Sequence, residues 1–76
     1  MDEQEKTEIN AQIEKAFTYH SPTYTEAKQY ETIRAEAKRL AYLLDGLCPN
    51  SREKSLALTA LDSTVMWANA SIARND

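Results

Sequence analysis

Apolar residues recur along this chain at steps of three and four. Near the C-terminus, Leu58, Leu61, Val65, Ala68 and Ile72 mark one stripe of a helix. A second stripe, Leu56, Ala60, Ser63, Trp67 and Ala70, is apolar or small. From Ser55 to Ala73 the one formal charge is Asp62. A lone surface helix needs only one buried stripe, so two stripes with almost no charge predict a helix packed on at least two sides. In so short a chain, the second side is expected to be another subunit.

Upstream, Tyr30, Ile33, Ala37, Leu40, Leu44 and Leu47 run at 3,4,3,4,3, a heptad seam suited to an antiparallel or coiled-coil-like partner. The spacing predicts a helix over 25–45. Thr23 with Glu26 three positions on forms a capping box at its start. Gly46, the sole glycine, is expected in the left-handed position after it, with Leu47 folding back. Residues 46–50 form a turn around Pro49, and Asn50 with Glu53 is expected to cap a helix over 51–74. So short a turn makes the two helices antiparallel neighbours. Residues 1–17 read as a charged helix with a thin apolar edge of Ile9, Ile13 and Phe17, joined to the hairpin by a linker over 18–24. Pro22 holds Ser21 out of helical conformation there. Strand-type alternation is absent. The fold expected is all-α: a short N-terminal helix and a long two-helix hairpin in one domain over 1–76, assembled as a homo-oligomer.

Composition supports the assembly. A 76-residue chain buries too little surface to be secure alone and commonly leans on disulfides, a metal or oligomerisation. One cysteine, Cys48, and one histidine, His20, leave no internal disulfide and no His/Cys metal cluster. Oligomerisation is the remaining device. Cys48 reads as a small apolar filler of the turn. Met1 to Glu14 is charged and polar, unlike a signal peptide, and no apolar run is long enough for a membrane span. A cytoplasmic setting fits, with no membrane partner. The net charge of −3 argues against bulk binding to DNA or RNA.

The chemistry left is binding. Nucleophilic catalysis needs a nucleophile with an oriented base, and no motif surrounds His20, the only imidazole. No Gly-rich phosphate loop is present. The linker, however, gathers Phe17, Tyr19, His20 and Tyr24, a dense group for a chain with four tyrosines, one phenylalanine and one tryptophan. These rings either plug the end of a helix bundle or stack a ligand, at about 1–3 kcal/mol per base. Lys28, Arg34 and Lys38 follow on the next helix, and Arg52 and Lys54 open the third. Arg34, Lys38 and Tyr42 share one face; that face is either solvated, with Glu31 and Glu36 as ion-pair partners, or a phosphate site. Rings for bases and cations for phosphates are the two demands of a small nucleotide, and an oligomer can bring two copies of each to one pocket. No cofactor is implied.

The run YETIRAEAKRLAYLLDGLCPNSREKSLALTALDSTVMWANASIARN, preceded by FTYHSP, resembles the phage and prophage helical-hairpin nucleotide sponges of anti-CBASS and anti-Thoeris type. The resemblance covers about Phe17 to Asn75. It implies a hexamer of hairpins that sequesters immune signalling nucleotides, most of all cyclic dinucleotides, in the host cytoplasm without cleaving them. In anti-CBASS relatives an aromatic residue precedes the first long helix and a cation follows fifteen positions later; Tyr19 and Arg34 have that spacing, with arginine in place of the relatives' lysine. Where some relatives carry an arginine in the last helix for a separate cyclic-trinucleotide pocket, this chain has Ala70 beside Asn69, with Arg74 as the residue that could substitute. The ligand-binding residues expected are Tyr19 and Arg34, assisted by His20, Lys38, Phe17 and Tyr24. The alternative is a structural or protein-interaction oligomer of phage origin with no nucleotide ligand.

Overall fold

Three helices follow one another: α1 (Glu3–Phe17), α2 (Tyr24–Leu47) and α3 (Arg52–Asn75). The computed structural model describes residues 3–19 and 21–75, with side chains from residue 5 onward. Met1, Asp2, His20 and Asp76 therefore lie outside the described residues, among which there is no strand.

α2 starts where its cap is strongest. The Thr23 hydroxyl accepts from the Glu26 N–H at 3.1 Å, and the Glu26 carboxylate accepts from the Thr23 N–H at 2.8 Å. This is the expected capping box, satisfying two donors that the first turn leaves orphaned. Its end differs from expectation. Gly46 is inside the helix, and no described residue has a positive φ. The helix stops two residues later at Cys48, whose N–H still donates to Leu44 O at 2.9 Å before the backbone turns extended at φ −98°, ψ 132°. Pro49 supplies the reason: its ring clashes with a helical residue in front of it. A Cβ placed on Gly46 would meet nothing within 4 Å. Gly46→Ala is therefore expected to raise stability by about 0.5–1 kcal/mol, read as a higher melting temperature. A left-handed glycine there would give a loss instead.

α3 is capped by Ser51, one residue later than expected. Its hydroxyl accepts from the Lys54 N–H at 3.1 Å, and its carbonyl from the Ser55 N–H at 3.2 Å. The Asn50 side chain is occupied with the Lys54 ammonium instead. That ammonium donates to Asn50 Oδ1 and to Asp45 O, both at 2.9 Å, and pairs with the Asp45 carboxylate at 3.0 Å. Three acceptors match its three N–H donors, with the side chain 11% exposed. Lys54 thus ties the end of α2 to the start of α3 and is not free to hold a phosphate.

The two helices pack antiparallel along their length; α3 meets the seam at the expected heptad spacing, and α2 departs from it. On α2 the half-buried positions are Glu26, Tyr30, Ile33, Ala37, Ala41, Leu44 and Cys48, whereas Leu40 and Leu47 are exposed. A 3.5-residue seam drifts off the contact face of a straight helix, which repeats every 3.6 residues or so. By the second heptad Ala41 has taken the place expected for Leu40, and Cys48 that expected for Leu47. On α3 the expected stripe, Leu58, Leu61, Val65, Ala68 and Ile72, is half-buried as a set.

No described residue is fully buried. The chain measures 54 × 33 × 13 Å, so it is about one helix thick, with both broad faces open. Its radius of gyration is 17.3 Å, against about 11 Å for a compact chain of this length. All described side chains of α1 are exposed, so its apolar edge of Ile9, Ile13 and Phe17 does not pack along the hairpin. The outward stripe of α3 is not covered by α1 either: Trp67 is 71% exposed.

Candidate functional site

At the open end of the hairpin the end of α1 meets the start of α2 and the end of α3. The Thr18 N–H donates to Glu14 O at 3.0 Å, adding one bond to the last turn of α1. The Thr18 hydroxyl also donates to the Glu14 carboxylate at 3.2 Å. The helix ends at Phe17, and Pro22 directly precedes the Thr23 cap of α2. Lys15 Nζ donates to Asn75 Oδ1 at 3.0 Å, tying the end of α1 to the end of α3. A cleft of about 370 Å³ forms between them, with Lys15, Tyr19, Glu26, Tyr30, Ala73 and Arg74 in its lining.

Glu26 and Tyr30 begin a ridge of α2 that continues at four-residue steps through Arg34 and Lys38. Each step advances about 6 Å along the axis, so Arg34 stands one turn beyond the cleft and Lys38 two. Neither Arg34 nor Lys38 has an ion-pair partner among the described residues. The acids expected to pair with them are taken: Glu31 pairs with Lys28 at 3.5 Å, and Glu36 with Arg39 at 2.6 Å. Such exposed pairs add little stability. Their consequence is positional, because they leave one row of unpaired positive charge on α2.

The other rings fall outside the cleft. Phe17 is 84% exposed, and Tyr24 faces solvent with the Lys28 ammonium 5.7 Å from its ring centroid, within cation–π range. With Tyr19 also 83% exposed, these rings do not plug the end of the bundle within one subunit. Lys28, engaged with both Glu31 and Tyr24, is not a free phosphate ligand. The sequence did not indicate Lys15, Tyr30 or Arg74 as cleft residues. Tyr30 falls on the packing seam, and the other two are brought in by a closure between residues sixty positions apart, which no local spacing announces.

One turn before Ala73 on α3, the buried Asn69 Oδ1 has no hydrogen-bond partner. An orphaned acceptor of this kind costs about 1–3 kcal/mol. The opposite flank of the hairpin carries a different feature, an open trough of about 820 Å³ walled by Ile33, Ala37, Leu40, Leu43, Leu61 and Val65. Its arginine, Arg39, is already paired with Glu36. It is an apolar surface rather than a phosphate site. Among the described residues no group of three or more His, Cys, Asp or Glu is placed to hold a metal, and no helix is long and apolar enough to cross a membrane.

A thin helical hairpin with a ring-lined cleft and a row of unpaired cations is built to bind. The chain matches the family model described as Acb2/Tad1, hairpin domain, over residues 9–73, and it belongs to that family, the anti-CBASS and anti-Thoeris nucleotide sponges. The family is associated with sequestering cyclic oligonucleotides and binds them without catalysis. No curated protein and no solved structure matches the chain.

Proposed function

We propose that this chain assembles with copies of itself, as a hexamer, and sequesters a cyclic dinucleotide in the host cytoplasm, withholding it intact from a host immune effector. Tyr19 stacks a base, Arg34 forks two donors onto a phosphate, and Lys38 adds a second charge one turn on. His20, next to Tyr19 in the chain, assists. Phe17 and Tyr24 serve as outer rings that a second subunit can bring against the ligand. The observation that carries this reading is the unpaired state of Arg34 and Lys38, on the ridge that leaves the Tyr19 cleft, while the acids beside them are paired elsewhere. Arg34 and Lys38 are not in the cleft lining of their own subunit, so a ligand that also meets a second subunit suits the two-fold character of a cyclic dinucleotide.

A sink that works at about nanomolar ligand needs about −12 kcal/mol of binding. Ring stacks and charge-assisted hydrogen bonds in a preorganised pocket are of that order. Calorimetry with cyclic dinucleotides, cyclic trinucleotides and cyclic ADP-ribose isomers tests it. Heat and a raised melting temperature with a cyclic dinucleotide are expected; silence from every ligand would remove the proposal. The exposed apolar trough favours the rival, a protein-interaction oligomer without nucleotide, and that reading predicts the silence.

A further inference from the structure

The cleft at the open end of the hairpin holds more than the ring expected there. Two rings, Tyr19 and Tyr30, line it with two cations, Lys15 and Arg74. Arg74 is exposed and has no ion-pair or hydrogen-bond partner among the described residues. The Lys15 ammonium spends one of its three donors on Asn75 and keeps two. The one lining carboxylate, Glu26, is anchored by the Thr23 N–H, so the lining carries one more positive than negative charge. At about 370 Å³ the cleft lies at the small end of ligand sites, roughly 300–1,000 Å³.

From this geometry we infer that Arg74 and Lys15 hold a phosphate of the ligand inside the Tyr19 cleft, so that each subunit carries its own half-site for one nucleoside phosphate. The inference rests on the nucleotide-binding reading above and adds to it a cation pair that the spacing of Tyr19 and Arg34 does not contain. Arg34, one turn outside, is then left for a second phosphate. A cyclic dinucleotide has two phosphates, and this division gives each its own cation.

The test uses the full chain, with cyclic di-GMP and 3′,3′-cyclic GMP–AMP as probes, titrated by calorimetry at several salt concentrations. Arg74→Ala is expected to weaken binding about tenfold or more and to lower the slope of log affinity against log salt by about one, the mark of a lost phosphate contact. Arg74→Lys is expected to recover the slope and part of the affinity. Because Arg74 has no partner among the described residues, the variant should melt with the wild type. Wild-type binding with Arg74→Ala unchanged in affinity and slope would overturn the inference and leave the nucleotide reading standing. No binding by the wild type to either probe would overturn both.

Discussion

In the proposed assembly, Trp67→Glu is expected to leave a monomer without a cooperative thermal transition. The subunit alone is incomplete: no described residue is buried, the packing seam of α2 and α3 is only half covered, and the slab is one helix thick. Hydrophobic burial is the main favourable term in folding, and this chain completes little of it alone. Trp67 stands on the outward stripe of α3 among Ala60, Ser63 and Ala70, whose small side chains let another backbone approach closely. A carboxylate placed there must be desolvated without a partner if the interface is to close, which costs several kcal/mol. That is a large share of the stability of any small domain. Sedimentation and a thermal melt read the result. Unchanged mass and melting temperature would show that Trp67 lies on a free surface.

The second large effect is expected at Arg34. Arg34→Glu should weaken cyclic dinucleotide binding about a hundredfold or more, since hydrogen bonds to charged groups are worth about 1.5–3 kcal/mol and the new carboxylate repels the phosphate besides. Arg34→Lys keeps the charge but loses the planar fork and should fall in between. Neither change should move the melting temperature of the free protein, because Arg34 has no partner within the described residues. Equal affinity in all three proteins would move the phosphate site elsewhere, with the Arg74 cleft the first place to look.

The helices were legible because their signals are local. The Thr23–Glu26 box, the spacing of Leu58 to Ile72 and the position of Pro49 each act within a few residues, and the described elements follow them to within one or two positions. The errors came where two local rules competed. Gly46 fits a left-handed cap, but Pro49 two residues on from Leu47 already stops the helix by constraining Cys48. Asn50 and Ser51 both cap well, and Lys54 decided between them by drawing the Asn50 side chain to itself. The heptad reading of Leu40 and Leu47 failed for a geometric reason, since straight helices repeat nearer 3.6 than 3.5.

The site was legible in part. Tyr19 could be singled out by its fifteen-residue spacing to Arg34, which matches the family pattern; the linker rings by themselves left plugging and stacking both open. Arg34 and Lys38 could be placed on one face, but whether they were free depended on rotamer choices of Glu31 and Glu36 that spacing leaves open. Lys28 and Lys54 look equally available in sequence; the structure spends one on Tyr24 and Glu31, the other on the turn. Lys15 and Arg74 needed the closure of α1 against α3 before they could share a cleft.

Binding without turnover is the property on which the proposed function depends. The most direct measurement is to mix the protein with a cyclic dinucleotide that gives heat, remove unbound ligand by gel filtration, denature the complex and chromatograph what is released. The same cyclic dinucleotide is expected, chemically unchanged, in fixed proportion to the subunits. Release of a linearised or otherwise altered product, or of nothing at all, would contradict it.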